Sequence, residues 1–361
     1  MFGIDDRILM YPLDRESLSV VKSTRNYPNI RICGLVSPES WGYDGECYHC
    51  TEGMIAISHD YEGGLDNCSA VWVVDSWNRL DFGQFIEPAI RLASEKDKRI
   101  VCSRKLTPME KTSLSDFEVA YVEFSSSIPK VSPDNRVQEI RTPVVFVMSS
   151  TEYCNQFFIE TALCSELRNR EYKTLLISSQ KEGCIFEGYT IPDFMFHGVC
   201  CENMKVLALN HYIRHLEMNH QPEIIVIGVP GVAMPYNHQY SSDFGILAYE
   251  FSEAVSPDFT ILSSSCMPYD IKYFEGIEKC LCGRLGIDID LHSLSQYALD
   301  FSESSIEKSL GYFSVDDSFV QETIEQISYA NLFNLNQMSG IAAAVDRLID
   351  KLSRGAVSRI I

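Results

Sequence analysis

The chain has 361 residues, 45% of them hydrophobic and 11% aromatic, enough apolar material for a sizeable core and, at this length, for two domains. Acidic side chains outnumber basic ones 50 to 30, a formal charge of -20 that repels a nucleic-acid backbone or an anionic membrane, so neither is expected as a partner. No stretch approaches the roughly 20 consecutive apolar residues of a membrane span, and the opening MFGIDDRILMYPLDRE lacks a charged segment followed by an apolar run, which points to a cytoplasmic protein.

Short, β-rich apolar runs at 7–13, 31–37, 70–75, 99–103 and 119–124 alternate with helix-compatible or turn-rich segments, as buried parallel strands do. The stretch 85–94 places Phe85, Ile86, Ala89, Ile90 and Ala93 on one helical face, which suits a crossover helix. Together these predict a Rossmann-like N-terminal domain over 1–130, although no dinucleotide glycine fingerprint follows the first strand. The segment SSSIPKVSPDNRVQEIRTP at 125–143 mixes Ser, Pro and charge without an apolar period and marks the domain boundary.

A second domain is expected over 143–361. Its strands are read at 144–148, 174–178, 224–228 and 259–263, and its helices at about 155–170, 202–219 and 244–254, a βα alternation that implies a doubly wound, mostly parallel sheet. After Asp270 the chain becomes helix-rich and ends in an amphipathic helix at 339–353. This helical extension can pack on the second domain or form a homo- or hetero-oligomer surface, and periodicity leaves both open.

The loop after the first strand of the second domain has the context of a P-loop: a hydrophobic strand, a short polar loop, then a helix. In a working P-loop a glycine-rich turn wraps the phosphates, a lysine neutralises them and Ser or Thr binds magnesium. The sequence here is VVFVMSSTEYCNQFFIETAL, with no glycine in the loop, Gln156 near the lysine position, and Phe157 and Phe158 where the metal-binding hydroxyl belongs. The run IIVIGVPGV likewise ends in Gly228, Pro230 and Gly231 rather than in an acid that organises the magnesium water shell. The expected fold is therefore α/β, with the Rossmann-like domain followed by a degenerate P-loop NTPase-like domain, no nucleotide hydrolysis and no cofactor.

The carboxyl ends of these strands form the expected binding crevice. It gathers Ser149, Ser150, Thr151, Asn155, Gln156, Gly228, Pro230 and Gly231, whose hydroxyls, amides and backbone suit a neutral or singly anionic group such as a peptide carboxylate. Asp193 and Glu187 can add a contact to a basic group. Cys154 starts the helix, where the positive end of the dipole lowers a thiol pKa, making it the candidate nucleophile.

From Arg7 to about Pro235 the chain resembles the D-glutamate N-acetyltransferase family, in which a Rossmann-like domain precedes a P-loop domain. The resemblance is carried by ISSQKEGCIFEGYTIPDFMF at 177–196 and PEIIVIGVPGVAMP at 222–235, while that family's phosphate-binding lysine has no counterpart here. The chain is also similar to clostridial proteins encoded in peptide natural-product maturation clusters, through EYCNQF at 152–157, PDFMF at 192–196 and IGVPG at 227–231. That second likeness implies an auxiliary role in ribosomal peptide modification, with a precursor peptide or a peptide-tailoring enzyme as partner. A transferase or ligase acting on the peptide in the same crevice is the alternative.

The 13 cysteines are read as reduced thiols, most of them small core residues. Cys47 and Cys50 have the two-residue gap of a zinc knuckle, with His49 and His59 nearby, which makes them the candidate metal ligands, although a second such pair is missing and thiols in a loop are the alternative. His211 and His215 share a helical face in HYIRH without the glutamate of a metalloprotease motif. The pairs Cys200 with Cys201 and Cys280 with Cys282 point in divergent directions on predicted helices.

Overall fold

A computed structural model describes residues 2–14, 17–43, 45–76, 80–126, 136–198, 201–302, 304 and 310–358. The chain divides into two compact units, Met1–Glu123 with Cys184–Glu187, and Phe124–Gly183 with Gly188–Ile361. Among the described residues no helix is long and apolar enough to cross a membrane.

The first unit contains strands β1 (Arg7–Tyr11), β2 (Arg31–Val36), β3 (Cys47–Cys50), β4 (Gly53–Ser58), β5 (Ala70–Val73), β6 (Arg99–Cys102) and β7 (Val119–Tyr121). They lie in the order β3-β4-β2-β1-β5-β6-β7, parallel throughout except for the antiparallel β3–β4 hairpin. Without β3 this is the doubly wound Rossmann order. Its helices are α1 (Leu18–Thr24), α2 (Tyr61–Leu65), α3 (Glu87–Glu95) and α4 (Pro108–Ser113).

Helix α3 starts after a π-helical turn, Phe82–Ile86, because Pro88 near its start lacks the N–H that would continue a helix backwards. Ile86, Ala89, Ile90 and Ala93 are buried as expected, but Phe85 belongs to the turn and remains 37% exposed. In β3, Cys47 and Cys50 are three residues apart on a strand. The two-residue alternation of side chains therefore sends them to opposite faces, with Cys47 exposed and Cys50 buried. They cannot chelate one ion, which corrects their reading as candidate metal ligands.

The second unit contains β8 (Val144–Ser149), α5 (Gln156–Asn169), β9 (Thr174–Ser178), β10 (Tyr189–Thr190), α6 (Glu202–His220), β11 (Ile224–Gly228), α7 (Ile246–Ala254) and β12 (Phe259–Ser264). The part after Asp270 holds helices α8 (Ile271–Leu285), α9 (Asp317–Ile327) and α10 (Met338–Ser358), and also strands β13 (Leu291–Leu294), β14 (Tyr297–Asp300), β15 (Gly311–Ser314) and β16 (Leu332–Phe333). β13 and β16 extend a parallel sheet of order β10-β9-β11-β8-β12-β13-β16, while β14 and β15 pair as a separate antiparallel hairpin. The unit is thus a doubly wound α/β domain.

Strand β8 shows why the sheet must be covered on both faces. Val144, Phe146 and Met148 pack with α6, α7 and α8, whereas Val145 and Val147 pack with α5 and α10. All its residues are buried, and such an unbroken apolar run is stable only as a central parallel strand. At the far end of the chain, α10 enters this core through a glycine: a Cβ on Gly340 would stand 2.0 Å from the carbonyl oxygen of Asn334.

Because that obstacle is backbone, Gly340→Ala is expected to lift the start of α10 off the sheet and cost about 1–3 kcal/mol, despite alanine's higher helix propensity. Thermal or urea unfolding monitored by circular dichroism checks this; an unchanged or raised midpoint would contradict the tight approach.

Candidate functional site

β8 lies between β11 and β12, so the chain leaves its carboxyl end towards β9 on one side and reaches β12 on the other from β11. Such a switch point opens a crevice between diverging loops. The loop 150–155 crosses this point and bends sharply, with Tyr153 and Asn155 both in the left-handed region at φ 54° and 53°. Non-glycine residues hold that conformation only when surrounding contacts impose it.

Those contacts are numerous. Gln156 turns its carboxamide back into the sheet, where Nε2 donates to the carbonyls of Val147 at 3.0 Å and Val229 at 2.6 Å, while Oε1 accepts from Ser149 Oγ at 2.7 Å. Asn155 Nδ2 donates to Asn336 Oδ1 at 2.7 Å, and Asn336 in turn donates to the Leu294 carbonyl. Thr151 Oγ1 lies 3.1 Å from Cys154 Sγ, and Ser150 Oγ bonds Ser264 Oγ at 2.9 Å. Tyr153 packs against Tyr297 and Tyr312 of the β14–β15 hairpin, with ring centroids 5.9 and 5.1 Å away.

Beneath the loop lies a buried acid. Glu160, on α5, is 0% exposed; it accepts from Ser178 Oγ at 2.5 Å and from the Ser179 backbone amide at 3.2 Å. Burial pushes its pKa up to about 8, against the opposing pull of those donors. Its carboxyl abuts the end of β11 so closely that a Cβ on Gly228 would fall 1.4 Å from Oε2. The strand end expected to lack an acid therefore has one, delivered from the helix, and Gly228 is the residue that makes room for it.

A cavity of about 320 Å³ opens on the α8 side of this switch point. Ser150 lies at its base, Met234, Pro235 and Tyr236 form one wall, and α8 forms the other with Lys272, Tyr273, Gly276, Ile277 and Cys280. Tyr273 stacks on Tyr269 at 3.7 Å, which stiffens that wall. Lys272 is the cation in the lining, and among the described residues no carboxylate is paired with it. Gly276 sits mid-helix with nothing within 4 Å of where its Cβ would be. No protein contact requires glycine there, where alanine would favour the helix by about 1 kcal/mol.

Of the residues expected to line the crevice, Ser150 does so. Ser149 and Gln156 bond each other and Gln156 also the backbone, Thr151 pairs with Cys154 and Asn155 with Asn336, Gly228 backs onto Glu160, and Pro230 is buried. Gly231 is exposed with φ 73° and outside the lining. Cys154 is buried, and desolvation moves its thiol up to about 11 instead of down, so the expected activation by the helix dipole is reversed. Asp193 sits in a 3-10 turn with its carboxylate 3.2 Å from His197, and Glu187 falls in the first unit.

His211 and His215 each have their own neighbour, the Arg136 carbonyl and Asn219. Cys200 lies outside the described residues, and among those residues no cluster of three or more His, Cys, Asp or Glu could hold a metal ion. The sequence points to none of Lys272, Tyr236 and Tyr273, and it offers Cys280 only as half of a pair with Cys282. The available signal was a lysine, a glycine and a cysteine at four-residue spacing on one face of α8.

No protein-family model matches the sequence, and no curated protein is similar to it in sequence. Among solved structures, a DUF1611 family protein from Anabaena variabilis aligns over 96% of this chain and 100% of its own, with a TM-score of 0.60 and 10% identity. Cobyrinic acid a,c-diamide synthase from Mycobacterium smegmatis, solved with ADP and magnesium, aligns over 59% of this chain and 96% of its own, with a TM-score of 0.38 and 9% identity. The signal recognition particle receptor FtsY from Elizabethkingia anophelis covers 45% of this chain at a TM-score of 0.30. At such identities the likeness to the DUF1611 family protein establishes a shared α/β fold.

Glu160 yields a pH-dependent expectation. Its pKa is higher in the folded chain than in the unfolded one, so its contribution to stability is fully present below about pH 4.5 and is lost as pH rises through about 8. Glu160→Gln removes the ionisation while keeping the shape. Melting temperatures of the two proteins should coincide near pH 4.5 and diverge by pH 8, with the glutamine variant higher; parallel curves across that range would contradict a buried neutral acid.

Proposed function

We propose that this chain is an auxiliary, cytoplasmic component of ribosomal peptide natural-product maturation. It binds a precursor peptide or a partner modifying enzyme through the crevice of its second unit, and it does not hydrolyse nucleotide. The observation that carries this reading is the contrast between two neighbouring features. The loop in the phosphate-binding position is closed by its own side chains through Gln156, while an open, largely apolar cavity with one cation lies beside it. A triphosphate with magnesium needs a nest of backbone N–H groups, a lysine and metal-binding side chains. A peptide needs apolar area and a few polar anchors.

A second reading, a peptide-modifying transferase or ligase in the same crevice, is favoured by one feature: the exposed Cys280 thiol in the cavity wall. No nucleophile is needed for binding alone.

Two measurements test the proposal. Titration calorimetry with ATP or GTP and Mg²⁺ should give no saturable heat at micromolar concentration; micromolar binding, worth about -8 kcal/mol, requires phosphate contacts that the closed loop cannot supply and would overturn it. Affinity capture with purified precursor peptides and modifying enzymes of peptide-maturation clusters should recover a stoichiometric complex without a mass change in the peptide. A mass change produced by this chain alone, abolished by Cys280→Ala, would instead establish the transferase reading.

A further inference from the structure

We infer that the cavity against α8 receives the carboxyl-terminal end of an apolar peptide, with the terminal carboxylate at Lys272 and the preceding residues running along α8 towards an exposed apolar patch at Phe244, Ile246 and Tyr249. The inference rests on the peptide-binding reading above and assigns its end group, direction and length.

The charge pattern selects the end group. In a chain of formal charge -20, Lys272 stands in the cavity lining without a carboxylate partner among the described residues. It also lies in the first turn of a 15-residue helix, whose N-terminal dipole adds to its positive potential. The helix cap, Asp270, spends its carboxylate on the Tyr273 amide at 3.0 Å. One ammonium matches one monoanion. A phosphate dianion would require several convergent donors, and the acidic surface opposes it.

The lining selects what the anion is attached to. Met234, Pro235, Tyr236, Tyr273 and Ile277 offer apolar contact, and the space left at Gly276 is where a side chain of the occupant fits. About 320 Å³ accommodates the last two residues of a peptide, not a folded partner.

The surroundings select the direction. Phe244, Ile246 and Tyr249 are 58%, 49% and 48% exposed. The patch is tied to the cavity wall, since a Cβ on Gly245 would lie 2.5 Å from the Ala233 carbonyl oxygen and 3.1 Å from Met234 Cα. It is also tied to the far end of α8, where Arg284 donates to the Phe244 carbonyl. From Lys272 to Arg284 the helix rises about 18 Å, the span of about five extended residues. A chain anchored at Lys272 thus reaches the patch at its fifth or sixth residue from the end.

The test uses an N-terminally dye-labelled hexapeptide ending in Leu-Phe, as the free acid and as the C-terminal amide, with fluorescence anisotropy as the readout. The expected result is saturable binding of the acid by the full chain, with the amide about fivefold weaker. Lys272→Met should reduce the acid to the affinity of the amide and leave the amide unchanged, and Gly276→Leu, which fills the cavity on a helix it also favours, should weaken both about tenfold.

Equal affinity for acid and amide, an acid preference that survives Lys272→Met, or no saturable binding of the acid at millimolar concentration would each overturn the inference. So would displacement of the peptide by octanoate at equal concentration, which would show that any apolar carboxylate suffices. If the acid fails to bind while affinity capture of a maturation partner succeeds, only the terminal-carboxylate assignment falls; if both fail, the proposed function falls with it.

Discussion

The carboxamide of Gln156 is the contact on which the second unit's architecture turns. It sits at the first position of α5 and ties the ends of two adjacent central strands by donating to Val147 and Val229, while Ser149 occupies its acceptor. A lysine here would have no acceptor capacity for Ser149, and its charge would seek an anion outside the sheet. The neutral amide instead satisfies protein groups on both sides. Once it does, the loop above it has no reason to open, and Thr151, Cys154 and Asn155 complete an internal network around it.

The same closure explains the pairing of Glu160 with Gly228. Any side chain at the end of β11 would displace the Glu160 carboxyl, and the carboxyl in turn needs Ser178 and Ser179 at the neighbouring strand end. Three elements, α5, β9 and β11, are therefore locked at one point by an acid that burial keeps largely neutral. A buried neutral acid is a weaker repellent for an incoming anion than a carboxylate would be.

Much of this fold is legible in the sequence where burial is complete. β9 and β11 are read to the residue because each has a short buried apolar centre, closed by serines at the end of β9 and by glycine and proline at the end of β11. β13 and β16 are harder to see: LHSL contains a buried histidine that imitates a polar break, and LF is too short to show a period. The CYHC segment looks like a metal loop because cysteine spacing carries no information about whether the backbone is a turn or a strand. Its pairing with Gly53–Ser58 decides that.

The site was harder to read than the fold for a physical reason. Serine, threonine, asparagine and glutamine at strand ends are the residues a ligand site needs, and equally those with which a closed switch point satisfies itself. Side-chain type cannot separate the two; only the partners can. Lys272 stands far along the chain from Ser150, and no local pattern joins them, since the sheet order brings α8 to the end of β8. What sets the lysine apart is its place in the cavity lining, where among the described residues no carboxylate forms an ion pair with it. An unpaired cation at a concave surface keeps its hydration and its field until a counter-charge arrives. With aromatic and aliphatic groups lining the space next to it, the counter-charge that gains most is one carried on an apolar body.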